Sequence, residues 1–224
     1  MPFEPVKYTN AENFIKKTTQ NLKNSLGNKK GFGFISGGID STTCSKLISK
    51  SLGDANFIGI HFDHGGMREE ECKNVLFFLN KDCNVPVIFR DFSGIFLKRV
   101  IEAGTDSEKK REAISKTYFD VALEEAKKLG AIYWVQGTIE PDVLETAKLK
   151  LKRQHNVLLS EQEKLFKESQ LEVIEPLLHL RKNQVREVAA SLGIPLSISD
   201  RKPFPGPGLY CRAVGQVNRD KINL

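Results

Sequence analysis

Apolar positions along the chain follow two rhythms. In the first thirty residues Phe14, Ile15, Thr18, Leu22 and Leu26 recur three or four apart, which predicts an amphipathic helix closed by Gly27. Thr9 and Glu12 make a capping-box pattern ahead of it. Short apolar runs follow, GFGFI (31–35), ANFIGIHFD (55–63), VPVIFRD (85–91), AIYWVQG (131–137) and LEVIEPL (171–177), and each reads as a strand. Between them the spacing returns to the helical period. From Ser41, STTCSKLISKSLG turns Cys44, Leu47, Ile48 and Leu52 inward and stops at Gly53. Residues 68–81 carry acids in a first helical turn, where they favour the macrodipole. Residues 107–130 form a long amphipathic helix, and RKNQVREVAASLG (181–193) closes the series.

Strands alternating with helices of a dozen or more residues predict an α/β fold, a parallel five-stranded sheet with helices on both faces. No internal repeat interrupts it. Ligands of such sheets bind outside the carboxyl ends of the strands. The loops to inspect are therefore 36–42, 63–69, 136–146 and 201–212.

Composition narrows this little. The 224 residues suffice for one substantial domain, and 40% apolar with 28% charged residues is ordinary for a globular protein. No apolar run approaches a membrane span, and the N-terminus lacks the layout of a secretory signal, so a cytoplasmic protein is expected. The net charge of +6 suits an anionic partner, whether nucleotide or nucleic acid, and equally suits plain solubility. Cys44, Cys72, Cys83 and Cys211 form no CxxC pair and show neither metal-ligand spacing nor a nucleophile signature; most are expected to be buried thiols.

The chemistry concentrates in FISGGIDST (34–42). Ser36, Gly37 and Gly38 let successive backbone N–H groups converge, Ser41 and Thr42 add hydroxyls, and the following helix presents its positive end. The lysine of a Walker A loop is absent. A tight turn with a helix cap would use the same residue types; SGGxDS between an apolar strand and a helix favours phosphate.

Ser36–Ser41 matches SGGxDS, the signature of the PP-loop ATP pyrophosphatases, which this chain resembles. The resemblance implies an adenine nucleotide α-hydrolase-like fold and ATP cleaved between the α and β phosphates, with AMP passed to an oxygen of a second substrate. Three later loops are similar to those of the GMP synthetase branch. QGTIEPD (136–142) resembles its QGT-x-x-PD segment, KPFPGPGL (202–209) its PFPGPGL segment, and FDHGGMR (62–68) its DNGxxR loop. His155-Asn156 sits where that branch carries a lysine-plus-HHNV lid.

This resemblance assigns roles residue by residue. Ser36, Gly37, Gly38, Asp40, Ser41, Thr42, Gln136 and Gly137 are expected to bind ATP, and Asp40 and Asp142 to hold Mg²⁺ on its phosphates. An N-cap role is the alternative for Asp142. Lys152, Arg153 and His155 are lid candidates acting with Asp40 in catalysis, within a possible lid insertion at 148–170. A solvated basic run is the alternative for the lid cations. Arg68, Arg111, Pro203, Gly206 and Arg212 are candidates for the acceptor nucleotide, with surface solvation as the alternative for the arginines and a rigid loop for 203–208.

The match is incomplete. The lid reads RQHNVLLSEQEK, one histidine short and without glycines; Ile139-Glu140 follows QGT; and Lys202 precedes PFPGPGL where histidine is usual. The PP-loop domain is expected over 1–217, with 218–224 a short tail where the branch continues into a dimerisation domain. No glutaminase arrangement is present, so ammonia is expected free or from a separate glutaminase subunit. A homodimer is possible on this reading, a membrane partner is not expected, and nucleic acid is disfavoured. The expected reaction is adenylation of xanthosine monophosphate and its amination to GMP. An adenylating enzyme for another acceptor, such as a tRNA base or small carbonyl compound, and a non-catalytic ATP-binding relative are the alternatives.

Overall fold

The computed structural model describes residues 2–67, 70–148, 168–195 and 208–211, together with 164 and 198. In chain order its elements are α1 (Ala11–Leu26), β1 (Gly31–Phe34), α2 (Ile39–Leu52), β2 (Phe57–Asp63), α3 (Glu71–Phe77), β3 (Val87–Asp91), α4 (Ser93–Glu102), α5 (Ser107–Leu129), β4 (Tyr133–Val135), α6 (Glu140–Lys148), β5 (Glu172–Ile174) and α7 (Lys182–Ser191). A π-helical turn, Phe78–Asp82, extends α3, and a 3₁₀ turn spans Gly208–Cys211.

The five strands form one parallel sheet in the order β3-β2-β1-β4-β5. The chain builds outward from β1 to β3, then returns to add β4 on the other side of β1. That reversal places a crevice at the carboxyl ends of β1 and β4, where open α/β sheets bind ligands. The loops 35–38 and 136–139 both open into it.

Side-chain alternation splits the core into two layers. Phe32, Phe34, Ile60 and Trp134 point to the face covered by α4 and α5, against Phe96, Val100, Ile114, Phe119 and Ala122. Tyr133, Val135 and Ile35 point to the face covered by α1, α2 and α7, against Phe14, Leu22, Leu47, Ile48, Val185 and Val188. Gly31 serves this second layer through its missing side chain. A Cβ there would lie 2.0 Å from the Tyr133 ring, whose hydroxyl donates to the Asn56 carbonyl at 2.7 Å.

Four details depart from the sequence reading. The α1 cap is Asn10, not Thr9: Asn10 Oδ1 accepts the Asn13 N–H at 2.9 Å, while Thr9 Oγ1 accepts from the Asn13 side chain. Asn10 wins because it holds the extended cap conformation (φ −154°, ψ 165°) and its carbonyl receives the first helical bond from Phe14. Helix α2 begins at Ile39, two residues ahead of Ser41. Helix α4 has no counterpart in that reading; its Phe96 and Val100, four apart, are buried on the side that meets α5. Strand β3 is an edge, which leaves Ile88 and Phe89 exposed.

Candidate active site at the carboxyl ends of the strands

The turn after β1 folds on its own hydroxyls. Gly37 takes φ +77°, Ser36 Oγ accepts the Gly38 N–H at 3.3 Å, and the Ser36 and Ser41 hydroxyls lie 3.1 Å apart. Ser41 Oγ donates to the Gly38 carbonyl at 3.2 Å. Gly38 is the α2 cap residue, and no side chain caps the helix start. The first amides of α2 thus keep their capacity for an anion.

The β4 loop packs directly on this turn. A Cβ on Gly137 would lie 3.0 Å from Ser41 N and 3.2 Å from the Asp40 carbonyl carbon, so any larger residue would have to push the turn back by a few tenths of an ångström. Beside it, Gln136 N–H bonds to the Ile174 carbonyl at 2.9 Å, and the Cys44 thiol donates to the Gln136 carbonyl at 3.4 Å. The Gln136 side-chain amide, Thr42 Oγ1 and Asp40 Oδ1 are buried and lack a hydrogen-bond partner among the described residues. Each such group costs about 1–3 kcal/mol when left unsatisfied. Three of them gathered on two adjoining loops fit a polar ligand that supplies the partners.

Charge at the site comes from several elements. Lys182, at the start of α7, donates to Asp40 Oδ2 at 2.6 Å, and the neighbouring Arg181 Nε meets Glu140 Oε2 at 2.9 Å. Asp142 Oδ2 accepts the Ile139 N–H at 3.1 Å and so closes the start of α6. Glu175, just beyond β5, is raised above the usual glutamate range by burial and by the Asp142 charge, with a Thr138 hydrogen bond acting the other way. The Cys44 thiol is pushed up by burial, then by the Asp40 and Glu175 charges. Asp142 therefore acts on Glu175, and Asp40 and Glu175 both act on the Cys44 thiol.

Among the described residues no cluster of three or more metal-type side chains is preassembled. Magnesium does not require one, since it keeps waters and takes ligands from substrate phosphates beside one or two carboxylates. Asp40 and Asp142 fit that donor set, Asp40 with its Oδ1 unengaged.

A second group of loops lies at the ends of β2 and β3. The 62–67 turn is joined to the 208–211 turn: Leu209 N–H bonds to the Gly66 carbonyl at 2.8 Å, and the Tyr210 hydroxyl donates to the His64 carbonyl at 2.5 Å. The ends of the two segments that resemble DNGxxR and PFPGPGL thus lie side by side.

The sequence candidates fare unequally. Ser36, Gly37, Gly38, Asp40, Ser41, Thr42, Gln136 and Gly137 are brought together at the crevice, and Asp142 accepts the Ile139 N–H two residues beyond Gly137. Arg111 pairs with Glu108 one turn earlier on α5. In the same basic triplet Lys110, not Arg111, is the buried residue. Arg68, Lys152, Arg153, His155, Pro203, Gly206 and Arg212 lie outside the described residues, as does the 218–224 tail. Lys182 and Glu175 are additions. Lys182 follows an apolar strand-and-turn in a helix that reads only as amphipathic, so no local signal marks it.

Comparison with known proteins agrees with this fold. A family model described as NAD synthase matches residues 8–113. One subunit of the glutamine-hydrolyzing GMP synthase of Methanothermobacter thermautotrophicus is 38% identical over 96% of this chain, which spans 66% of that subunit. The glutamine-hydrolyzing GMP synthase of Lactobacillus johnsonii is 38% identical over 95% of this chain, which spans 41% of that enzyme. Among solved structures, NMN synthetase from Francisella tularensis shares the fold at a TM-score of 0.66 and 16% identity, over 96% of this chain and 82% of that one. An NH3-dependent NAD synthetase from Campylobacter jejuni does so at 0.60 and 14%, over 85% and 75%. With this fold, an SGGxDS loop at its crevice and GMP synthases matched along nearly its whole length, the chain is similar to the PP-loop ATP pyrophosphatases of the GMP synthase branch.

Proposed function

We propose that the protein is the synthetase component of a GMP synthase: it joins AMP from ATP to xanthosine monophosphate and replaces it with ammonia. The carrying observation is the pairing of an open anion-binding turn at Ser36–Ser41 with Asp40, Lys182 and the close-packed Gly137. The GMP synthase relatives support the choice of acceptor and product.

On this reading the β and γ phosphates of ATP lie against the 36–42 turn, where backbone amides and the Ser36, Ser41 and Thr42 hydroxyls donate to them. Mg²⁺, held by Asp40 and Asp142, supplies neutralisation of the phosphate charge when bound. Lys182 brings a cation to a loop that has none of its own, and Asp40 fixes its place. The 2-oxygen of the xanthine base attacks the α phosphorus, the bond from that phosphorus to the bridging oxygen breaks, and pyrophosphate leaves. Ammonia then adds at the base C2, loses its surplus protons to solvent, and expels AMP with the former 2-oxygen. Preorganised donors at the departing pyrophosphate stabilise the charge that develops there.

Lys152, Arg153 and His155 would close over the nucleotide from the 148–170 segment, while Arg68, Arg111, Pro203, Gly206 and Arg212 would line the acceptor. Ammonia would come from a separate glutaminase subunit, a partner suggested by the relative that is itself one subunit of a glutamine-hydrolyzing enzyme. The proposed setting is the cytoplasm; no described helix is long and apolar enough to cross a membrane.

The test incubates the protein with ATP, Mg²⁺, xanthosine monophosphate and ammonium. Expected products are GMP, AMP and pyrophosphate in equal amounts, dependent on the acceptor. Stoichiometric ADP, or pyrophosphate release that ignores the acceptor, overturns the reading.

A further inference from the structure

We infer that Tyr210 is a positioning residue that couples the 62–67 turn to the 208–211 turn, so that both present to the acceptor as one rigid unit. As a statement about acceptor binding it rests on the function proposed above; as a statement about loop coupling it stands on the geometry alone.

Tyr210 is fully buried, yet it sits on a short 3₁₀ turn and not on a core element. Its hydroxyl donates to the His64 carbonyl at 2.5 Å, across 146 positions of sequence. Its ring lies 5.7 Å from the His64 ring, centroid to centroid, and His64 in turn packs at 5.8 Å on Phe96 of α4. A backbone bond from Leu209 N–H to the Gly66 carbonyl runs alongside. The coupling therefore has three components: a hydroxyl anchor, a ring contact and a main-chain bond.

The facing turn is shaped to receive this ring. A Cβ on Gly65 would lie 2.6 Å from the Tyr210 hydroxyl oxygen, and one on Gly66 would lie 2.9 Å from ring carbon Cδ2. Gly65 also sits at φ +79°, and its N–H is tied to Asp63 Oδ1 at 2.6 Å. The two glycines provide the volume that the tyrosine fills. Burial of Tyr210 then orders both turns together, which removes part of the entropy that acceptor binding would otherwise lose.

The experiment compares the full chain with its Tyr210→Phe and Gly66→Ala variants. Tyr210→Phe keeps the ring and deletes only the hydroxyl anchor; Gly66→Ala displaces the ring. Hydrogen exchange of the 62–67 amides is expected to rise about threefold to tenfold in each, the worth of one hydrogen bond, with exchange of the 36–42 amides unchanged. The KM for xanthosine monophosphate is expected to rise by a similar factor with the KM for ATP unchanged. Unchanged exchange at 62–67, or equal rises in both KM values, overturns the inference. If the parent chain shows no acceptor-dependent pyrophosphate release, the proposed function fails, and the exchange measurement alone decides the coupling.

Discussion

The Lys182 ammonium donates to Asp40 Oδ2 at 2.6 Å, joining the start of α7 to the first turn of α2 across 142 positions of sequence. Both groups are partly solvent-exposed, so the pair adds little to stability; its consequence is positional. The proposed phosphate loop, which has no lysine of its own, receives one from α7.

Replacing that cation tests its role. Lys182→Met is expected to lower kcat/KM for ATP in acceptor-dependent pyrophosphate release by about 10- to 100-fold, the range for one charged donor at a developing anion. The unfolding midpoint should move by no more than about 2 °C, because the ion pair is partly exposed. Activity within twofold of the parent would remove Lys182 from the phosphate site.

Gly137 tests the approach of the two loops. Gly137→Ala places a methyl 3.0 Å from Ser41 N, against backbone that cannot rotate away. ATP binding, measured by calorimetry, is expected to weaken by about tenfold or more, the cost of shifting a packed backbone by a few tenths of an ångström. Unchanged affinity would show that the turn tolerates displacement.

Glu175 sets a pH dependence. Its folded-state pKa is raised, chiefly by burial, so the folded protein binds its proton more tightly than the unfolded chain. Stability linked to this group is complete below the ordinary glutamate range and declines as pH rises through the folded value. Glu175→Gln, which can still accept from Thr138, should raise the unfolding midpoint at pH 7 by about 1–4 °C and leave it unchanged near pH 4. A gain of equal size at both pH values would contradict the assignment to ionisation.

The thiols are expected to be inert. Cys44 and Cys83 are buried, and burial, followed by the Asp63, Glu71 and Asp91 charges, pushes Cys72 up to about 12. At pH 8 only about one Cys72 in ten thousand is then a thiolate. Peptide mapping after iodoacetamide treatment should show all three unmodified in the native protein and modified in urea. Rapid native labelling of Cys72 would refute this.

Much of the architecture was legible in residue order. Five apolar runs and the helical spacing between them mark the sheet and most of its helices, because alternation and the 3.6-residue period are imposed by local backbone geometry. Gly27 and Gly53 end their helices as read. Helix α4 was also legible, in Phe96 and Val100 four apart, but the reading passed over the segment between Asp91 and Ser107. Asn10 replaced Thr9 because either residue type can cap, and the backbone angles chose between them.

At the site, sequence alone determined the Ser36–Ser41 turn, since its glycines, hydroxyls and carboxylate are contiguous and follow a strand. Tertiary structure decided what stands around it. Lys182, Glu175 and Tyr210 reach their partners only after the crossovers of a parallel sheet bring distant strand ends together. Their spacing in sequence carries no trace of that meeting, because the contact belongs to the order of strands in the sheet and not to any local period.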